Sequence, residues 1–332
     1  MISRFFMFFS IAMLTLSLGS ACAPEAPSQP ALNTATATTV LTATSIVLSV
    51  TSTPEPTITR LLPTPTPVYF SGAGDIAICG QAGDNRTAAL LLKKINKGLY
   101  FTAGDNSNED GTLDQYQNCF GEYWGLLMKD LRVVPGNHDY YSDPMENYFV
   151  YFDDVGEPGK GWYSFDHGSW HIVMLNSNCG SVECGPSSEQ VAWLRKDLAK
   201  SDSQCTMAIW HHPLFSSGKH GNAEWMKTFW DVLYEHGADV VVNGHNHFYE
   251  RMAKVNPDGE LDENGIRGFV VGTGGAGFYG IKDKLSFSEV QITHNFGVIH
   301  FELYPDHYTW QFINIDNQVM DKGEDVCSPL LR

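Results

Sequence analysis

Apolar residues in this chain gather into short runs that stop abruptly on polar side chains. Residues 68–74 end on Asp75, and residues 99–104 end on Asp105. Residues 131–136 lead to Asn137 and His138, and 206–210 lead to His211. Val240, Val241 and Val242 lead through Asn243 and Gly244 to His245 and His247. Apolar runs of this length, bounded by turn residues, predict buried strands. Between the first two, Ala88, Leu91, Leu92 and Ile95 fall at helical spacing ahead of Gly98. They predict a helix over 85–96 and a parallel strand pair with a right-handed crossover.

Later segments extend the pattern. Residues 113–128 read as partly helical, and 143–153, rich in Tyr and Phe, as a cover over the site entrance. Residues 163–166 and 170–176 predict a hairpin joined by His167, Gly168 and Ser169. Ser187 as N-cap, with Gln190 at the third position, predicts a helix running to Lys200. Trp225, Met226, Phe229, Trp230 and Leu233, closed by Gly237, predict an amphipathic helix. Residues 268–271, 296–303 and 308–313 alternate as strands, with 272–277 a flexible Gly-rich loop. Parallel pairing early and antiparallel pairing late predict an α/β (α+β) fold of two packed mixed sheets flanked by helices.

The polar residues that end the runs carry the chemistry. Oxygen and imidazole donors at the carboxyl ends of strands converge in one crevice, because the loops there meet. His245 and His247 lie two residues apart, so in extended backbone their side chains point the same way, as shared metal ligation requires. Either histidine alone would read as a surface residue, and Asp75 or Asp105 alone as a turn former. The ordered set of five does not.

That set is Gly74-Asp75, Gly104-Asp105-Asn106, Gly136-Asn137-His138-Asp139, Trp210-His211-His212-Pro213 and Gly244-His245-Asn246-His247. It resembles the calcineurin-like metallophosphoesterases, and within them the purple acid phosphatase branch, over about residues 68–315. The resemblance implies a four-layer αββα sandwich and a phosphoesterase acting through a hydroxide bridging two metal ions. It implies that Asp105 bridges the metals, that Asp75 and His247 hold the first, and that Asn137, His211 and His245 hold the second. His138 and His220 resemble the acid or phosphate-binding histidines, with an exposed loop residue as the alternative for His220. His212 is left without a role. The branch has a tyrosine three residues after the bridging carboxylate, where this chain has Asn108, and a glycine where it has Ala77. The first metal is therefore open among iron, zinc and manganese. A small phosphate ester is the implied substrate, with monoester and diester both open. The alternative from another class is a surface-anchored binding lipoprotein without turnover.

Composition narrows the partners. A formal net charge of -17 opposes a nucleic-acid or anionic-membrane surface, and bound cations would have to reverse that field for a phosphate substrate. Residues 1–22 read as an export signal: Arg4 is followed by an apolar stretch from Phe5 to Leu18. A small-x-small cleavage site at Ala21-Cys22-Ala23 is compromised by Pro24. Gly19-Ser20-Ala21-Cys22 resembles a bacterial lipobox, so the favoured expectation is an exported cell-envelope lipoprotein anchored through Cys22. Residues 23–67, rich in Thr, Ser and Pro, read as a disordered linker, and 68–332 as the catalytic domain. The six other cysteines suggest disulfides, which such a count could form in 15 ways. Cys179 with Cys184 reads as a local staple. Cys79 and Cys119 both follow metal-motif loops, which pairs them and leaves Cys205 with Cys327; a zinc cluster is the rival.

Overall fold

The strands form where the apolar runs lie, and their alternation decides which core each side chain enters. In the computed structural model, which describes residues 66–142 and 145–328, β1 is Val68–Ala73, β2 Leu99–Thr102 and β3 Leu131–Val133. The hairpin follows as β4 Tyr163–His167 and β5 Trp170–Met174, then β6 Cys205–Ile209 and β7 Val240–Asn243. The remaining strands are β8 Tyr249–Val255, β9 Ile266–Val271, β10 Ser288–Ile292, β11 Gly297–Leu303, β12 His307–Asn314 and β13 Val319–Val326. The expected signal segment, and the linker as far as residue 65, lie outside the described residues.

One sheet has the order β13-β12-β11-β1-β2-β3 and the other β10-β8-β9-β7-β6-β5-β4. β1, β2 and β3 pair in parallel, as do β5, β6, β7 and β9, while β11, β12 and β13 pair antiparallel. Both sheets are therefore mixed. Val240 and Val242 point into a core shared with Phe70, Phe101, Ile299 and Phe301 of the other sheet. Val241 points the opposite way, into a core with Leu194, Phe229 and Trp230. Those residues come from the helices Glu189–Leu198 and Lys227–Glu235. A third core joins the outer face of the six-stranded sheet to the helix Gly83–Lys93 and to Phe120, Trp124, Tyr148 and Phe152. Helix layer, sheet, sheet, helix layer is the expected αββα sandwich. Strands buried on both faces need apolar residues at every position, which is why their runs are continuous.

Several local expectations shift. The helix expected from Ser187 is capped one residue later: Ser188 Oγ accepts from the Val191 N–H at 3.2 Å. Gln190 does not complete a capping box, because its buried amide bonds both backbone groups of Asn176, at 2.8 and 2.9 Å. Trp225 precedes its helix in a single turn, Glu224–Met226, and is half-exposed rather than in the core. Of the segment expected to cover the site, residues 145–153 do not do so: Tyr148 and Phe152 pack into the third core, drawn there by the buried rings of Tyr116 and Phe120. The Gly-rich loop 272–277 is tied down, with the Gly274 N–H bonded to Gly74 O at 2.8 Å and the Ala276 N–H to Asp75 O at 2.9 Å.

The cysteines pair as expected: Cys79 with Cys119, Cys179 with Cys184, and Cys205 with Cys327. The zinc alternative falls with those pairings. Among the described residues no helix is long and apolar enough to cross a membrane.

Candidate metal centre

Where β1 and β2 end, the chain turns sharply and the two turns bond to each other. The Asp75 N–H donates to Gly104 O and the Ile76 N–H to Asp105 O, each at 2.9 Å. Asp75 and Asp105 both adopt left-handed backbone, with φ of 60° and 52°, and His245 does the same at 69°. Side chains other than glycine avoid this region, and residues held there concentrate at functional sites. Glycines bring the loops close. A Cβ on Gly136 would lie 2.1 Å from Asp105 Oδ1, and one on Gly244 would lie 2.8 Å from Asp75 Oδ2.

The side chains predicted as ligands meet here. His211 Nε2 stands 3.2 Å from Asp105 Oδ2 and 3.2 Å from Asn137 Oδ1. Its Nδ1 lies 2.8 Å from Ala103 O, a carbonyl that can only accept. That contact puts a proton on Nδ1, so Nε2, facing Asp105 and Asn137, is the nitrogen whose proton a bound cation would displace. His247 Nε2 stands 3.2 Å from Asp75 Oδ1, and the His245 ring lies 5.1 Å from that of His211. Asp75, Asp105 and Asn137 follow strands of the six-stranded sheet, while His211, His245 and His247 follow strands of the seven-stranded one. Three donors thus come from each sheet.

The electrostatics suit cations. Burial raises the energy of the Asp105 carboxylate, but His211 and His138 outweigh it and hold the acid below its ordinary range. Burial likewise opposes charge on His211, yet Asp105 and Asp75 pull its pKa up to about 9. Burial, then His211 and His212, drive His245 well down, so its imidazole is a neutral donor. Asp75 Oδ1 is buried and makes no hydrogen bond, the His247 Nε2 beside it at 3.2 Å lying outside hydrogen-bond geometry. A dry carboxylate oxygen left that way is costly unless a cation satisfies it. The residues present fit two metal ions, and oxygen with imidazole donors suits zinc, iron or manganese.

Around this set stand supporting groups. Asp105 Oδ1 accepts from the His138 N–H, and Oδ2 accepts from Asn108 Nδ2, both at 2.9 Å. Asn108 thus occupies the position of the missing tyrosine as a hydrogen-bond donor to the carboxylate. Tyr116 and Tyr249, two phenols near the motifs, bond Asp139 and Asp321 instead, each at 2.7 Å. Asp139 has no assigned role in the sequence, yet it braces the loops through Gly136 N–H, Asn106 and Tyr116. Burial first, and then Asp105, raise its pKa to about 6.

His138 Nδ1 lies 2.7 Å from Glu109 O, which turns Nε2 to within 3.9 Å of Asp105. His220 is exposed at the rim, its ring 4.5 Å from that of His245 and its N–H bonded to Asn246 Oδ1 at 3.0 Å. Sequence reasoning missed His212, which is buried with its ring 4.5 Å from His245 and its Nδ1 2.8 Å from Ser177 Oγ. It also missed Tyr279, stacked on His247 at 4.0 Å, and the half-exposed Tyr141 and Trp225. The doubled histidine of His211-His212 was the one available signal; the aromatic residues carry none.

Residues 72–249 match the family model described as calcineurin-like phosphoesterase. Purple acid phosphatase 15 of Arabidopsis thaliana is 32% identical over 258 residues, covering 65% of this chain and 47% of that protein. The chain spans about half the length of the curated relatives it matches. Among solved structures, the purple acid phosphatase PPD1 from yellow lupin seeds superposes with a TM-score of 0.68 at 17% identity, over 79% of this chain and 54% of that one. GAP50, described as the anchor in the inner membrane complex of Plasmodium, gives 0.63 at 15%, over 80% and 90%. These structural likenesses show the fold.

Proposed function

The chain belongs to the calcineurin-like phosphoesterases, and from that membership we propose that it is a metal-dependent phosphomonoesterase of the purple acid phosphatase type. The observation that carries this reading is the convergence of three oxygen-donor side chains, Asp75 and Asp105 buried and Asn137 partly so, on three histidines, with Asp75 Oδ1 making no hydrogen bond. In this reading Asp75 and His247 hold one cation, Asn137, His211 and His245 the other, and Asp105 both. Bound there, two cations supply Lewis-acid charge to the phosphoryl group and acidify water.

The chain's own residues do the rest. Ala103 O fixes the His211 tautomer, and Asn108 and the His138 N–H hold the Asp105 carboxylate in place. His138, anchored by Glu109 O, keeps Nε2 toward the centre, where it can hold a proton for the leaving oxygen. His220 is the second such group, at the rim. Alkyl alkoxides need that proton and nitrophenolate does not. His220→Ala, with metal content unchanged, is expected to slow alkyl phosphates by roughly 10²-fold or more while nitrophenyl phosphate changes little. Equal losses would make His220 a phosphate-binding group, and no loss would make it an exposed loop residue.

The deciding experiment is metal analysis of the purified protein, followed by assay with nitrophenyl phosphate and bis(nitrophenyl) phosphate. A metal-replete protein turning over neither would favour the binding-lipoprotein reading. Phosphodiester hydrolysis is the second reading, favoured by an adjoining cavity with room for a second substituent. Export and a lipid anchor on Cys22 belong to the same proposal. Three disulfides support an oxidising compartment. Lipid labelling that survives Cys22→Ser would refute the anchor.

A further inference from the structure

The cavity over the candidate centre, about 370 Å³, is lined by Asp105 and five of the histidines around it. A second cavity of about 530 Å³ opens beside it and shares the walls Asn137, Tyr141, His212 and Trp225. Its far wall is the loop 177–181. That loop is held by the Cys179–Cys184 disulfide and by Gln190, whose amide grips the Asn176 backbone. The volume is that of a small-molecule site, and the wall is built rather than loose.

Two properties define what would fit. No Lys, Arg, Asp or Glu lines this second cavity, in contrast to the first. A group carrying further negative charge would meet no cation there, on a chain whose formal net charge is -17. The second property is aromatic. Trp225 and Tyr141 are 53% and 59% exposed, while Trp124, Trp170, Trp210 and Trp230 are all buried. Both exposed rings stand at the junction of the two cavities. Tyr141 is fixed there, its hydroxyl accepting from Asn137 Nδ2 at 2.8 Å. A large ring held at a cavity mouth with an open face is a stacking surface for another ring.

We propose that the second cavity receives the alcohol portion of the substrate, and that this alcohol is neutral and carries a planar ring, as a nucleoside does. Trp225 is then the specificity-determining residue. The proposal rests on the phosphomonoesterase reading. The reaction balances as hydrolysis: the oxygen of water ends on phosphorus, the bond from phosphorus to the alcohol oxygen breaks, and one proton of the water ends on the alcohol.

The test compares adenosine 5′-monophosphate with glycerol 3-phosphate, using the metal-loaded protein. Wild type is expected to favour the ring-bearing ester in kcat/KM. Trp225→Ala is expected to lower kcat/KM for the nucleotide about tenfold more than for glycerol 3-phosphate, chiefly through KM. Trp225→Phe, which keeps a ring, is expected to restore most of the difference. A tenfold effect is about 1.4 kcal/mol, the lower part of what base stacking on an aromatic side chain contributes. Equal losses on both esters, or no loss on either, would overturn the assignment. Should the protein hydrolyse neither ester, turnover of nitrophenyl phosphate decides the phosphomonoesterase reading. Calorimetric binding of the same two compounds then decides the cavity separately. Tighter binding of the nucleotide, weakened about tenfold by Trp225→Ala, would uphold a ring site, and equal binding would overturn it.

Discussion

Asp105 is held from several sides: two donors fix its carboxylate, His211 faces it, and Gly136 gives it room. As the carboxylate read to serve both cations, it is the residue whose loss should be felt twice. Asp105→Ala is expected to lower bound metal from two ions toward one or none, measured by elemental analysis, and to abolish phosphate-ester turnover. Two bound ions with normal turnover would remove it from that role. A different buried acid, Asp239, adds its own pH dependence to stability. Asp239 is 1% exposed and accepts from the Thr206 N–H at 2.8 Å and the Ser328 N–H at 2.6 Å. Burial raises its pKa from an ordinary 3.8 to about 7, against the pull of those two donors. A raised pKa means that the folded state keeps a proton the unfolded chain has released. The stability this lends is complete below pH 3.8 and is lost as pH rises to about 7. Relative to Asp239→Asn, the wild type is expected to lose on the order of 4 kcal/mol of unfolding free energy across that window. A constant gap between the two in denaturant titrations from pH 4 to 8 would show that Asp239 is ionised throughout.

At the scale of elements, the Cys205–Cys327 disulfide joins the start of β6 to the residue after β13, and so ties one sheet to the other. It closes a loop of 122 residues. Replacing both cysteines by serine is expected to lower unfolding free energy by about 2–5 kcal/mol, read by chemical denaturation at equal metal loading. The strands that carry the centre were legible because they are buried on both faces and end on chemistry: β1 on Asp75, β2 on Asp105, β6 on His211. β13 was not, since its Asp321, Lys322, Glu324 and Asp325 obscure any apolar alternation on what is a sheet edge. The ring of Trp225 reads as core by spacing and stands half in water, because its turn precedes the helix instead of belonging to it. Residues 143–153 failed in the opposite direction. Their aromatic side chains find partners in Phe120 and Tyr116, and sequence spacing does not reveal that encounter. Six donors at strand ends could be read from the chain. His212, Tyr141 and Tyr279 could not, since their positions depend on how loops return across the fold.

For the molecule as a whole, the decisive arrangement is the division of donors, three from each sheet, across the seam where the sandwich closes. Whatever occupies the centre is shared property of two layers that pack through apolar contacts elsewhere, Phe70, Phe101, Val242 and Phe269 among them. Opening the layers at that end parts Asp75 from His247 and Asn137 from His211, so separation and release of the ions are one event. Mass action then ties metal concentration to unfolding. At free metal one hundred times the dissociation constant, each independent site adds about 2.7 kcal/mol. Chelation is expected to lower the melting temperature, and graded metal to restore it along that logarithmic dependence, in a calorimetric titration. A melting temperature indifferent to metal would show that the folded protein does not bind it in preference to the unfolded chain. The centre is in this sense a clasp, and a sample stripped of metal would come apart first where the substrate enters.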